Sequence, residues 1–331
     1  MNRTAGFLAA ITAGTFGVLC SLQSVQAQDF PRKPVRVIAP VPPGGVIDNS
    51  MRIVSEKLSA RLGQQVVIEN RPGANGTIGA QYVAQQPADG YTLLTAVDGT
   101  MAVSLNKAIS PKAPISTLQE LIPVTKLGDF DMLLVANPSL GVKNLAEFIA
   151  KAKGKDKAAS YGFGTSGIGS TTHLAGELLG QIAGIPLVHV PYKGGGQALI
   201  DVIGGQIPLV MTTVATAQQH IRSGKLVALG VPGAKRSKSL PDTPTFAESG
   251  LKGFNVSGWV GVFAPAGTPK PVIDRLQKDF AAVLADPAVH QAFDTLGMEP
   301  GGITADEFAQ QLRGDLARWA DVVIKGKIAI D

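Results

Sequence analysis

Two stretches of the sequence share one plan: an apolar strand, a glycine-rich loop, an amphipathic helix and a second apolar strand. The first runs from Val35 to Glu69 and the second from Ala159 to Val190. Their loops hold the residues Pro42, Pro43, Gly44 and Gly45 in the first and Gly162, Gly164, Gly167 and Gly169 in the second. Strands alternating with helices predict an α/β protein with parallel sheets. The length of 331 residues allows two domains, each large enough for its own core.

Short β-branched runs and apolar stripes predict the other elements. The predicted strands are Val35–Ala39, Gln65–Glu69, Tyr91–Thr95, Met132–Ala136, Leu187–Val190, Leu209–Met211, Leu226–Val231 and Val256–Phe263. Core-facing helices are predicted from the stripes Ile47, Met51, Val54, Leu58, Leu62 and Leu174, Leu178, Ile182, closed by Gly63 and Gly184. Two further helix starts are predicted, one from Thr268 with Pro269 and one from the capping box of Thr304 and Glu307.

Both glycine-rich loops are candidate anion sites. Glycine lets the backbone approach a ligand closely, and the start of the following helix offers unpaired N–H groups and a partial positive charge. The alternative is structural, because any strand-to-helix turn in an α/β protein favours glycine. Two such loops, one in each predicted domain, favour a cleft that holds an anion from both sides.

The first 27 residues predict a signal peptide. Residues 1–27 carry Arg3 as their only charge, then an apolar run from Ala5 to Leu22 and a small-residue cleavage signal ending at Ala27. A membrane anchor is the competing interpretation, but glycines interrupt the run and it is short for a bilayer. Cleavage removes Cys20, the single cysteine of the chain, so disulfides, thiolate catalysis and cysteine-bound metals are excluded. A net charge of +5, not gathered in a stripe, argues against nucleic acid as a partner.

The sequence gives no positive sign of catalysis, a cofactor or a metal. The segment from Gly162 to Gly167 matches a dinucleotide fingerprint, but no acidic residue ends the next strand. Ser166 lacks the pattern of a hydrolase nucleophile, because Ile168 stands where the second glycine is needed. The four histidines show no zinc-site spacing. We therefore expect a binding protein rather than an enzyme.

The chain resembles the periplasmic substrate-binding receptors of tripartite tricarboxylate transporters, the Bug receptors. The resemblance rests on PPGGVID at 42–48, NRPGANGTIG at 70–79, ADGYTLL at 88–94 and PYKGGG at 191–196, and it extends over essentially the whole chain after the leader. It implies a two-lobed periplasmic binding protein of class II, a Venus-flytrap in which each lobe is a sheet flanked by helices. Lobe 1 is placed at 28–99 and 231–331, and lobe 2 at 100–230.

The resemblance also implies a function and a site. A monomeric periplasmic receptor would capture a small organic acid between its lobes and deliver it to integral-membrane transporter subunits. The candidate contacts are Pro43, Gly44, Gly45 and Asp48 in lobe 1 and Thr165, Ser166, Gly167, Ser170 and Thr171 in lobe 2. Two other functions stay open: an extracytoplasmic sensor for a signalling kinase, and a secreted hydrolase that uses Ser166 or a pair of carboxylates not evident in the sequence.

Two acidic residues have ambiguous roles. Asp48 suits the acidic start of a helix, and the alternative is contact with the ligand. Asp98 stands where the family usually has a small or hydroxylic residue. It either caps a loop or pairs with a lysine across the hinge, or it meets a cationic or hydroxyl group of the ligand. The last alternative favours an amino acid over a plain dicarboxylate.

Overall fold

The computed structural model describes residues 30–154 and 161–330. The predicted signal peptide at 1–27 lies outside the described residues. The strands, in chain order, are β1 Val35–Ala39, β2 Val66–Asn70, β3 Thr92–Val97, β4 Leu121–Phe130, β5 Met132–Ala136, β6 Tyr161–Thr165, β7 Leu187–Pro191, β8 Leu209–Thr213, β9 Val227–Gly230, β10 Gly258–Pro265 and β11 Met298–Pro300. The α-helices are α1 Val46–Leu62, α2 Thr77–Ala84, α3 Thr117–Glu120, α4 Leu145–Ala152, α5 Thr171–Ala183, α6 Gly195–Ile203, α7 Val214–Arg222, α8 Lys270–Leu284, α9 Pro287–Thr295 and α10 Ala305–Gly326.

The described strands form two sheets, each flanked by helices. The six-stranded sheet of lobe 1 has the order β11-β4-β10-β3-β1-β2, and the five-stranded sheet of lobe 2 has the order β7-β6-β8-β5-β9. Strands β1, β2 and β3 are parallel, as are β6, β7 and β8. The prediction of purely parallel sheets is wrong, because β10 pairs antiparallel with β3 and β4, and β5 pairs antiparallel with β8 and β9. A parallel neighbour needs a crossover connection, whereas β5 and β10 each enter their sheet from the other lobe.

Within the described residues, the chain crosses between the two sheets twice, and the first crossing lies later than the predicted boundary at Gly99. Strand β4 belongs to the sheet of lobe 1, so the chain leaves that sheet only at Asp131, between β4 and β5. The sequence of β4 hides its strand character, because Pro123, Lys126 and Asp129 interrupt the apolar pattern. The return crossing lies between Gly230, the last residue of β9, and Gly258, the first residue of β10.

Helix α1 confirms its predicted stripe, since all five of its apolar positions are buried and Gly63 ends it in the left-handed conformation. In α5 the prediction is partly wrong. Leu174 is buried, but Ile182 is 46% exposed, and the buried face instead includes the smaller residues Ala175 and Ala183. Small side chains allow close packing there, and hydrophobicity alone does not reveal it.

Local signals at three other places give one confirmation and two corrections. The capping box of Thr304 and Glu307 is present at the start of α10. Thr268 does not cap α8, because its hydroxyl donates to the carbonyl of Pro265 and Pro269 occupies the N-cap position. Gly162 and Gly164 lie in strand β6 rather than in the loop that follows it. A Cβ on Gly164 would lie 2.7 Å from the side chain of Ile207, so this glycine permits tight sheet packing.

The parallel strands bring the functional loops to one place. The loops after β1 and β6 and the start of α7 after β8 all lie at the carboxyl ends of their strands, where ligands bind in open α/β sheets. No helix within 30–154 and 161–330 is long and apolar enough to cross a membrane.

Candidate ligand-binding cleft

A cleft of about 920 Å³ is lined by residues of both sheets' loops. The lobe 1 wall comes from the loop after β1, the loop that precedes α2 and the turn after β3. The lobe 2 wall comes from the starts of α5, α6 and α7. The lining includes Pro43, Gly45, Ser166, Gly167, Ser170 and Thr171 of the predicted set. Gly44, Asp48, Asp98 and Thr165 are not among the lining residues.

The lobe 1 wall is built around the start of α1. Gly45 is the N-cap residue and provides no side-chain hydrogen bond to the first turn, so the first N–H groups of α1 lack a side-chain cap. The amide of the neighbouring Gly44 is already used, since it donates to Asp48 Oδ2 at 3.0 Å. Pro43 and Gly45 border the cleft, whereas the Gly44 amide stabilises the turn through Asp48.

Asp48 serves the structure of this loop. It is 2% exposed, and its carboxylate accepts hydrogen bonds from Gly44 N, Arg52 Nε at 2.9 Å and Asn70 Nδ2 at 2.9 Å. Burial opposes the charged form, but the hydrogen bonds from Arg52, Gly44 and Asn70 outweigh it and lower the pKa of Asp48 to about 2. Its oxygens face the protein's own donors, which agrees with a role at the helix start and not with ligand contact.

We expect Asp48→Asn to reduce the free energy of unfolding by about 2 kcal/mol at pH 7, since hydrogen bonds to a charged group are lost. Because the folded pKa lies below the unfolded value of 3.8, this stability is present above that value and is lost as the pH falls towards 2. Urea unfolding at pH 6 and pH 3 measures the effect, and the difference from the parent protein should shrink by about 1 kcal/mol. Asp274→Asn, at an exposed pair with Lys270, is the control with little expected change. A difference that is the same at both pH values would contradict this role.

The lobe 2 wall is built around the start of α5. Ser170 is the N-cap residue; its hydroxyl donates to Gly167 O at 2.7 Å and accepts from His173 N at 3.2 Å. The Ser166 hydroxyl pairs with Thr172 Oγ1 at 3.1 Å. No histidine is a hydrogen-bond partner of Ser166 in the described part of the chain, so the nucleophile and base of a serine hydrolase are not assembled there.

Thr165 supports this loop from behind. It is fully buried, and its hydroxyl lies 2.6 Å from His189 Nε2 and accepts from Gly167 N at 3.2 Å. His189 stacks on His173 with 3.7 Å between ring centroids, and Gly169 N donates to His173 Nδ1. Burial, with a smaller contribution from His173, lowers the pKa of His189 to about 3, so the ring is neutral. The two histidines are packing residues that fix the loop's shape.

The structure adds two parts of the wall that the sequence reasoning missed. Lys193 with Gly194–Gly196 forms the start of α6, whose N-cap residue Gly194 offers no side-chain cap, and Thr212 and Thr213 precede α7. The Lys-Gly-Gly-Gly run before an amphipathic helix repeats the plan of the other two loops, so this signal was available. Among the described residues that line the cleft, Lys193 alone carries a formal charge.

Asp98 lies beneath the cleft wall and not in it. It is 1% exposed, and its Oδ1 accepts a hydrogen bond from Thr171 Oγ1 at 2.7 Å. It pairs across the two lobes with a threonine, not with the lysine that the sequence reasoning offered. No ligand contact of Asp98 is supported, because neither it nor Asp48 borders the cleft.

The starts of α1, α5, α6 and α7 and one lysine give the cleft a positive electrostatic character. Within the described ranges, no three His, Cys, Asp or Glu side chains come together as a metal site. Two sheet-and-helix lobes and a cleft lined by residues of both lobes define the architecture of a periplasmic binding protein.

Comparison with known proteins gives the family. Residues 50–328 match the model of the tripartite tricarboxylate transporter family receptor. The chain belongs to this family, as the resemblance at 42–48, 70–79, 88–94 and 191–196 predicted.

Relatives of known name or structure agree. Protein BugT of Bordetella pertussis is 37% identical over 300 residues, 90% of this chain and 91% of BugT. A solved R. palustris structure with adipate is 31% identical, covers 91% of this chain and 99% of its own, and has a TM-score of 0.80. MatC of Rhodopseudomonas palustris with bound malate is 30% identical, covers 89% of this chain and 100% of its own, and has a TM-score of 0.76. The family is one of transporter receptors, so this chain is a solute-binding protein and not an enzyme.

Proposed function

We propose that the protein captures its carboxylate between the starts of α1 and α5 and delivers it to the membrane subunits of a tripartite tricarboxylate transporter. The proposed contacts are Pro43 and Gly45 from lobe 1 and Ser166, Gly167, Ser170 and Thr171 from lobe 2. The observation that carries the proposal is the convergence of these two helix starts on one cleft that also holds an uncompensated lysine.

The expected bonds are strong enough for a receptor. A carboxylate accepts several N–H and O–H bonds, each contributing roughly 1.5 to 3 kcal/mol when charge-assisted. Each helix start adds about 0.3 to 1 kcal/mol. Three or four such bonds approach the roughly −8 kcal/mol of a micromolar complex before ordering costs are subtracted. No metal or arginine clamp is required, and reopening of the lobes would remove half of the donors at once.

The charges around the cleft favour a plain organic acid over an amino acid. An ammonium group needs a carboxylate or several carbonyl acceptors when it leaves water. The carboxylates of Asp48 and Asp98 are turned towards Arg52 and Thr171, and no acidic side chain is among the described residues that line the cleft. The related proteins solved with adipate and malate hold dicarboxylates.

A thermal-shift screen with matched ligands tests this proposal. Succinate and glutarate differ from aspartate and glutamate only by the α-amino group, and malate and adipate complete the set. We expect at least one dicarboxylate at about 100 times its Kd to raise the melting temperature by about 5 °C, since ligand bound only to the native state stabilises it by about 2.7 kcal/mol. Aspartate and glutamate should give smaller shifts than their deaminated analogues. Equal shifts within the pairs would contradict the charge argument, and no shift with any acid would contradict the function.

Delivery to a transporter needs a separate measurement. Membrane vesicles containing the two membrane subunits should accumulate the labelled ligand only when the receptor is added. Accumulation at the same rate without the receptor would remove transport from the proposal and leave a sensor as the alternative.

A further inference from the structure

Asp98 is a buried carboxyl group with one oxygen in use. It follows β3 in lobe 1, and its Oδ1 accepts the hydrogen bond from Thr171 at the first position of α5 in lobe 2. No group makes a well-formed hydrogen bond to Oδ2 within the described part of the chain. A buried oxygen without a partner is rare enough in native proteins to need an explanation.

The charged groups that face Asp98 do not pair with it. They come from α10, where Asp315 and Arg318 pair with each other at 2.8 Å, and Asp315 also accepts from the indole of Trp259 in β10 at 2.8 Å. From α5 the contact is the neutral Thr171 hydroxyl. Burial raises the pKa of Asp98 to about 7. The Thr171 hydroxyl, the charge of Arg318 and the backbone N–H of Trp259 in β10 oppose this rise, and the charge of Asp315 adds to it. Asp98 therefore changes its charge near neutral pH.

The two lobes touch directly at this point. A Cβ on Gly99 would lie 3.0 Å from Thr171 N and 3.3 Å from the Cα of Ser170, so the backbone of lobe 1 passes close to the start of α5 and a larger residue there would force a small shift. Thr171 itself borders the cleft. A single hydrogen bond, from Thr171 to Asp98, therefore connects the buried carboxyl group to the wall of the cleft.

The Thr171 hydroxyl has one proton to donate. When Asp98 is ionised, that proton is held by Oδ1 and is not available to a ligand, and the buried negative charge repels an anion. When Asp98 is protonated, its own O–H can donate to Thr171 Oγ1. Thr171 then turns its proton to the cleft, and the repulsion is gone. At high pH the Thr171 hydroxyl therefore offers the cleft only an acceptor, its oxygen. At low pH it offers a hydrogen-bond donor.

We propose that Asp98 is a positioning residue that controls the Thr171 hydroxyl, so that the cleft binds its anionic ligand together with a proton on Asp98. This inference rests on the proposed function, since it concerns the same carboxylate site. Asp98 acts through Thr171 and does not itself touch the ligand.

Calorimetric titration with succinate, malate and adipate at pH 6.5 and pH 8.5 tests the coupling. If ligand binding raises the pKa of Asp98 by about one unit, the parent protein should bind about fivefold more weakly at pH 8.5. Asp98→Asn places an amide donor where the protonated acid has its O–H, so its affinity should match that of the parent at pH 6.5 and stay constant. Thr171→Val should bind weakly at both pH values, and Thr171→Ser should restore the dependence. Equal pH dependence in the parent and in Asp98→Asn would overturn the proposal.

Melting curves without ligand separate this proposal from the function. The folded pKa of Asp98 is raised above its unfolded value, so its stabilising effect is present at low pH and is lost as the pH rises to about 7. The parent should lose several degrees of melting temperature relative to Asp98→Asn between pH 5.5 and about pH 7, and the difference should then level off. If none of the acids binds, the proposed function is wrong, but the melting curves still report the titration of the Asp98 carboxyl group. A difference in melting temperature between the parent and Asp98→Asn that stays constant from pH 5.5 to 8.5 overturns the role of Asp98.

Discussion

Replacement of Gly45 by valine should abolish ligand binding and leave the protein folded. Gly45 borders the cleft at the N-cap of α1, its φ of −80° suits any residue, and a Cβ there would meet nothing within 4 Å. A branched side chain would stand over the free N–H groups of α1 and keep a carboxylate from reaching them. Loss of two charge-assisted bonds corresponds to at least about 100-fold weaker binding.

The neighbouring glycine is a poorer choice for this test. Gly44 has a φ of +94°, which strains any side chain, and its amide holds Asp48, so Gly44→Val would disturb the loop itself. At Gly45 the structural cost is limited to about 1 kcal/mol for an unfavourable N-cap residue. Gly314→Val is the matched control, because Gly314 is exposed in α10 and an added Cβ also meets nothing within 4 Å.

Calorimetry with the ligand found by the thermal-shift screen measures the effect, and circular dichroism checks the fold. We expect Gly314→Val to bind like the parent. If Gly45→Val binds within threefold of the parent while remaining folded, the amide groups at the start of α1 are not part of the anion site.

The parts of the site that could be predicted are those encoded by residues close together in the sequence. The loops before α1 and α5 could be predicted because each glycine run is followed directly by the apolar stripe of a helix. The start of α6 has the same local signal, a glycine run before an amphipathic helix, in Lys193–Gly196. The Thr213–Thr216 cap at the start of α7 is equally local.

Other features depend on distant parts of the chain and could not be predicted. The surroundings of Asp98 beneath the wall come from α10 and β10, whose Asp315, Arg318 and Trp259 are more than 150 residues away in the sequence. The partner of Asp48 that could have been foreseen is Arg52, one turn along α1, whereas Asn70 reaches it from β2. The membership of β4 in the first sheet is set by its pairing with β10 and β11, which no local pattern encodes.

Reversal of the charge at Lys193 should nearly eliminate binding. Lys193 is exposed at the cleft and makes no ion pair with any side chain of the described residues, so its charge is free for a ligand. Lys193→Glu removes one attraction to a charged group and adds repulsion, together worth roughly 3 kcal/mol, or about 100-fold in affinity. Lys193→Gln keeps the length and polarity and should cost about tenfold. Lys225→Glu, at an exposed lysine of the same lobe outside the cleft, is the control and should change affinity less than twofold at moderate salt.

A pair of ligands shows which group Lys193 meets. Succinate and butyrate have four carbons each and differ in whether the second end is a carboxylate or a methyl group. If the starts of α1 and α5 hold the first carboxylate, Lys193 remains for the second. Lys193→Gln should then weaken the binding of succinate but leave butyrate nearly unchanged, whereas Gly45→Val should weaken both. A loss that is equal for the two ligands in Lys193→Gln would place the lysine at the shared carboxylate and would assign the distal end of the ligand to the apolar side of the cleft, where Phe130, Ile168 and Met211 lie.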